Sequence, residues 1–185
     1  MPRRGLHRAR VVAVAGEIAD ADGLEAVTLA RVAQELGVRS PSLYNHVAGR
    51  DGLLRALAAQ STRELAAAMR RAATGRAGAD AVAAVAAAQR GYALEHPGRY
   101  ATTVTAPAAG DDEHAEAAAD AVDVVVAVLA GAGLEGDELI HGVRALRSAV
   151  HGFAALEVAG GFGMPLDSDA SFRRLVDALA SGLTG

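Results

Sequence analysis

Thr28-Leu-Ala-Arg-Val-Ala-Gln-Glu-Leu-Gly37-Val-Arg-Ser-Pro-Ser-Leu-Tyr44-Asn-His46 is the stretch that decides the fold. Its first part reads as a short amphipathic helix. Thr28 is a good N-cap because its hydroxyl can accept from a first-turn N–H. Leu29, Val32, Ala33 and Leu36 follow at helical spacing as a buried stripe, and Gly37 supplies a left-handed stop. Ser40 then caps a third helix that begins at Pro41, where proline's fixed φ and missing N–H are tolerated. That helix ends near His46. Two short helices joined by the Leu36-Gly37-Val38 turn make a helix-turn-helix.

Working outward, Val11, Val14, Ala15 and Ile18 mark a first helix over about residues 4–21, stopped by Asp22-Gly23. A long fourth helix is expected over 51–73, broken by the Thr74–Gly78 stretch. A fifth covers 80–95 and stops before Pro97, and a short sixth covers 98–104. The seventh (112–130), eighth (137–158) and ninth (168–183) complete the chain. The eighth and ninth carry apolar seams suited to antiparallel packing.

Composition agrees with an all-α protein. Of 185 residues, 51% are hydrophobic, mostly Ala with Val and Leu, and only 3% are aromatic; alanine has the best helix propensity of any residue. The absence of Cys excludes a disulfide framework and thiolate metal sites. All the basic residues are Arg, unevenly placed: eight against six acids over residues 1–60, ten against sixteen over 61–185. A basic tip on an acidic body points to an anionic partner at the N-terminal end. The apolar run after Arg3, Arg4, Arg8 and Arg10 stops at Gly16-Glu17, too short for export or a membrane span, so no membrane partner and a cytoplasmic location are expected. The expected division is a helix-turn-helix head over 1–50 and a helical body over 51–185.

A recognition helix presents its N-terminal residues to base edges in the major groove of duplex DNA. Ser40, Pro41, Ser42 and Asn45 occupy that end: hydroxyls and the amide can exchange hydrogen bonds with bases, and proline can touch a thymine methyl. Ser40 also reads as a plain helix cap. Tyr44, His46 and Arg50 suit phosphates, with His46 equally readable as a C-terminal cap. Thr28 offers its hydroxyl and free N–H groups to another phosphate. Arg3, Arg4, Arg31 and Arg39 complete the expected DNA-binding set, while Leu43 and Val47 point inward.

The segment from Thr28 to Leu54 resembles the DNA-binding domain of the TetR family of regulators, through the Thr cap, Leu-Gly-Val, Ser-Pro-Ser-Leu-Tyr, Asn-His-Val and the Arg before Leu-Leu. It departs at Ala30, where relatives often place a polar or basic residue. Farther on, Arg144 to Glu157, Gly160-Gly-Phe162-Gly, Leu166-Asp and Ser171-Phe172 resemble TetR-type C-terminal domains named for a Trp-His-Gly signature; His151-Gly152 is present without the Trp. The resemblance implies a homodimeric, ligand-responsive repressor on a pseudo-palindromic operator. It also implies an interface made by the last two helices, here through Leu139, Val143, Leu146, Val150, Phe153, Phe172, Leu175, Val176 and Leu179. A regulatory cavity for an unidentified small molecule would be lined by Leu65, Met69, Tyr92, Tyr100, Val126, Arg147 and His151, for which core packing is the alternative. Gly152 reads as a residue needed for close helix approach.

A metal-dependent enzyme is the competing class. Glu138-Leu-Ile-His141 has the Glu-x-x-His spacing of carboxylate-bridged di-iron bundles. Its nearest partner, Asp111-Asp-Glu-His114, sits at a helix start, and hydrolase and phosphate-loop motifs are absent. No catalysis, metal or cofactor is therefore expected.

Overall fold

A computed structural model describes residues 6–184, and its regular structure is helical, with no strand among the described residues. α1 (Arg8–Asp22) leads through a one-turn 3-10 segment (Leu24–Ala26) to α2 (Leu29–Leu36), a 3-10 helix (Ser40–Asn45) and α3 (Gly49–Ala73). α4 (Gly78–Glu95), α5 (Pro97–Thr103), α6 (Asp112–Gly131), α7 (Gly136–Val158) and α8 (Ser168–Thr184) follow. The first helix starts later than its apolar spacing suggested. His7 is its N-cap, with the ring Nδ1 accepting from Arg10 N–H at 3.3 Å.

The chain forms two compact units: one comprises the chain up to Thr62 with His96–Ala118, the other Arg63–Glu95 with the chain from Ala119 on. This differs from the expected division at residue 50, because α3 runs unbroken through that point and α5 belongs with the first unit, the helix-turn-helix head.

In the head, Val11, Val14, Ala15 and Ile18 of α1 meet Val32 and Ala33 of α2, Leu43 of the 3-10 helix and Leu53 and Leu57 of α3 in one buried core. α5 closes on α1 with unusual intimacy. A Cβ added at Gly98 would stand 2.0 Å from the Ala19 carbonyl oxygen, so only glycine allows the two backbones to touch. Asp20 accepts from the Arg99 backbone N–H at 2.8 Å and pairs with Arg99 Nε at 3.1 Å and His96 Nδ1 at 3.2 Å, satisfying the start of α5 from α1.

In the other unit, α4 packs against both α7 and α8, which also pack on each other. Its core is small-residue rich: Ala81, Val82, Val85 and Ala86 of α4 lie buried, as do Leu146, Val150 and Ala154 of α7 and Phe172, Val176 and Ala180 of α8. This corrects the expected interface. Val143, Leu146, Val150, Phe172 and Val176 are at most 9% exposed, because the apolar seams of α7 and α8 are consumed inside the subunit. Leu139, Phe153, Leu175 and Leu179 are half-buried. Apolar periodicity marks a face that is covered, not whose helix covers it.

Candidate nucleic-acid interface

The helix-turn-helix is set by its caps. Thr28 Oγ1 accepts from Arg31 N–H at 3.2 Å, and Gly37 (φ 65°, ψ 30°) ends α2 in the left-handed conformation. Its N–H and that of Val38 return to the Gln34 and Ala33 carbonyls at 3.0 and 2.9 Å, closing the last turn. The chain then enters the Ser40–Asn45 segment with Arg39, not Ser40, as N-cap and without a side-chain capping bond.

That segment is wound as a 3-10 helix rather than the expected α-helix, and the winding changes which side chains share a face. With three residues per turn, positions i and i+3 eclipse. Ser40, Leu43 and His46 therefore form the inward row: Leu43 is fully buried and its neighbours half-buried. Pro41 and Tyr44 form one outward row, and the half-buried Ser42 leads to the exposed Asn45 in the other. Pro41, Tyr44 and Asn45 are exposed, Tyr44 by 64%, although a tyrosine ring carries a large apolar area that usually finds cover. Thr28, Ala30 and Arg39 are also exposed.

The expected cations divide into committed and uncommitted ones. Arg31 Nη2 meets Asp22 Oδ2 at 2.5 Å, tying the start of α2 to the end of α1. Arg8 is bound by Glu113 through both carboxylate oxygens, at 3.1 and 2.6 Å, and this bond holds its guanidinium pKa above the ordinary value. Arg10 faces Glu17 at 3.6 Å. Arg3 and Arg4 lie outside the described residues. The basic tip is thus partly neutralised from within, which net charge along the sequence did not reveal.

Arg50 departs furthest from the phosphate role expected of it. Its Nε donates to the Val27 carbonyl at 2.8 Å and its Nη2 to the Leu24 carbonyl at 3.0 Å, with Glu25 at 3.8 Å. The guanidinium clamps the 3-10 turn that delivers Thr28. A contact spanning 23 residues leaves no local signal in a sequence.

The expected cavity residues differ in burial. Leu65, Met69 and Tyr92 are core, Tyr100 belongs to the head unit with α5, Val126 and His151 are half-buried, and Arg147 is exposed. A cleft of about 410 Å³ lies elsewhere, where the end of α3 and the start of α4 face α6. Ala73, Ala77, Ala81, Val124, Ala127 and Val128 form its apolar walls, with Arg70, Thr74, Arg76 and Asp123 among its polar lining. None of the seven expected residues lines it. Glu138 and His141 are both exposed, and His114 is buried; no group of three or more His, Cys, Asp or Glu converges among the described residues. No single described helix is long and apolar enough to cross a membrane.

Comparison with known proteins places this geometry. Residues 4–57 match the family model described as bacterial regulatory proteins, tetR family, and residues 82–179 match a tetracyclin repressor-like, C-terminal domain. An uncharacterised HTH-type transcriptional regulator of Mycobacterium tuberculosis, Rv0681, is 37% identical over 179 residues, 96% of this chain and 82% of that protein. The solved structure of a protein with unknown function from Rhodococcus sp. RHA1 is similar with a TM-score of 0.84 at 26% identity, covering 100% of this chain and 98% of that one. A TetR variant from Acinetobacter baumannii AYE, solved in complex with minocycline, has a TM-score of 0.71 at 21% identity over 96% of each chain, a likeness of fold. A helix-turn-helix head built around Thr28, Gly37 and Leu43, matched over both parts of its length, identifies the chain as a member of the TetR family of bacterial transcriptional regulators.

Proposed function

We propose that the protein is a homodimeric repressor that binds a pseudo-palindromic operator, releases it on binding a small molecule, and acts in the cytoplasm. The observation that carries the DNA reading is the exposed pair Tyr44 and Asn45 on a segment whose third row, Leu43, is locked in the head core. Asn45, Ser42 and Pro41 read base edges; Tyr44, Thr28 and Arg39 hold phosphates, with Ser40 and His46 at the edge of the contact. Arg3 and Arg4, outside the described residues, add two N-terminal cations to the proposed set. Arg31, paired with Asp22 at the start of α2, joins this set when phosphate takes that carboxylate's place.

Dimerisation is supported by Gly152. Glycine in the middle of a helix costs about 0.5–1 kcal/mol relative to alanine, and nothing in the subunit lies within 4 Å of where its Cβ would stand. Ala145, Ser148 and Ala155 share its exposure on α7, and Ile140 (46%) and Leu156 (53%) are apolar there. A second copy laid against this surface gives the small residues a purpose and covers the apolar ones. Leu139, Phe153, Leu175 and Leu179 are half-buried, and their remaining exposure is available to a second copy. The effector is a small molecule with an apolar body; the cleft at the α3–α4 turn is within the range of ligand sites, roughly 300–1,000 Å³. The minocycline complex of the structural neighbour supports a ligand-responsive reading.

The test is sedimentation of the protein alone and with a duplex enriched from a random pool, with anisotropy titrations over a salt series. Two subunits per duplex and affinity falling steeply with salt are expected. A lone subunit that enriches no duplex contradicts the reading.

A further inference from the structure

We propose that Arg50 is a positioning residue for DNA binding, acting through the N-terminus of α2 rather than touching phosphate itself. The proposal rests on the DNA-binding reading above. It stands on the two carbonyls the guanidinium holds: Val27, immediately before the Thr28 cap, and Leu24, at the start of the 3-10 turn. Both bonds have good length, and they occupy the Nε and Nη2 edge, one of the two edges through which a guanidinium can hold phosphate. Glu25, fully exposed, stands 3.8 Å from the same Nη2 and lowers the local potential an incoming phosphate would meet.

Gly23 (φ 83°) opens the turn, Leu24 and Ala26 pack partly buried against the head core, and Val27 is fully buried in it; Arg50 adds the hydrogen bonds from α3. The clamp from α3 therefore sets the direction in which Thr28 and the free first-turn N–H groups of α2 face. Arg31, bonded through its N–H to Thr28 and through its side chain to Asp22, is aligned by the same turn. One α3 side chain thus fixes the end of α2 that meets the DNA backbone.

A direct phosphate ligand and a positioning residue differ in measurable ways. Removing one cation that neutralises a phosphate of B-DNA lowers the slope of log affinity against log salt by about 0.9, whereas loss of positioning leaves the number of neutralised charges unchanged. Lysine replaces arginine as a point charge on phosphate but lacks the planar fork that spans two carbonyls. The experiment titrates wild type, Arg50→Gln, Arg50→Lys, Thr28→Ala and the Arg50→Gln/Thr28→Ala double variant against the duplex enriched by wild type, over a salt series. Amide hydrogen exchange of residues 24–31 is followed in the free proteins.

Arg50→Gln and Arg50→Lys are both expected to bind about tenfold more weakly, a difference near 1.4 kcal/mol, with the wild-type salt slope. Amides of the turn should exchange faster, and Arg50→Gln should cost little more once Thr28 is alanine. A slope reduced by about 0.9 together with rescue by lysine would overturn the proposal in favour of a phosphate ligand. Unchanged exchange in the turn would overturn it even if no duplex were found, whereas failure of wild type to enrich any duplex overturns the DNA reading.

Discussion

Arg90 grips Glu157 with two parallel bonds, Nε to Oε2 and Nη2 to Oε1, both 2.6 Å, and the two side chains are only 12% and 15% exposed. Asp169 takes the remaining nitrogen at 2.7 Å, and Ser168 Oγ donates to Glu157 Oε1 at 2.7 Å. The guanidinium also lies 4.8 Å from the centre of Phe172 and 5.7 Å from that of Phe153, whose ring meets Phe162 at 4.7 Å. One α4 cation thereby joins α7, α8 and the turn between them.

The Arg90 bond holds the Glu157 carboxyl below the ordinary carboxylate value of 4.5, outweighing the burial that raises it. A depressed folded-state value means that the stabilisation is complete above that ordinary value and is lost as pH falls through the depressed one. Glu157→Gln should therefore cost about 3 kcal/mol at neutral pH, and the gap between variant and wild type should close in acid. Urea denaturation at pH 7 and across pH 5 to 2 measures it. Parallel curves would show that Glu157 does not carry this dependence.

Adjacent residues in the 3-10 helix should fail in opposite ways. Leu43→Ala empties a fully buried site and should destabilise the head by roughly 2–5 kcal/mol. Tyr44→Ala should leave the melting curve within about 0.5 kcal/mol of wild type while weakening DNA binding, since its ring is exposed. A Tyr44 variant that melts early would place the ring in the fold instead.

Gly98→Ala drives a methyl into the Ala19 backbone, which cannot yield as a side chain could, and should cost about 3 kcal/mol. Gly91→Ala is the matched control: it is exposed in α4 with open space around it and should gain about 0.5–1 kcal/mol. Thermal melting compares the two. Equal effects would mean that helix propensity alone governs both sites.

Gly152→Leu should separate assembly from folding. Within one subunit the change adds helix propensity and meets open space, whereas between subunits it fills the room a partner helix requires. Sedimentation should show a folded monomer; a dimer of wild-type affinity would move the interface elsewhere.

Local chemistry was legible and long-range partnership was not. The Thr28 cap, the Gly37 stop and the break at Thr74–Gly78 are written in neighbouring residues, so helix order and most ends follow from them. The winding of Ser40–Asn45 escaped because the Ser-Pro start suits α and 3-10 alike, and the burial of Leu43 that the apolar pattern shows is compatible with both. Arg50 reads as a phosphate contact and Arg8 as part of a basic tip, and nothing near Arg90 points to its role, yet their partners stand 23 to 105 residues away. The seams of α7 and α8 were visible, but α4, an alanine-rich helix with little amphipathic contrast, gave no sign that it would cover them.

The most direct test of the account is the binding-site logo selected from random duplexes by wild type and by Asn45→Ala. Wild type should yield an inverted repeat with half-site centres about 34–36 Å apart, and Asn45→Ala should lose preference at one symmetry-related pair of positions while keeping the rest. Identical logos, or no logo from wild type, would contradict a head that reads bases through the outward rows of its 3-10 helix.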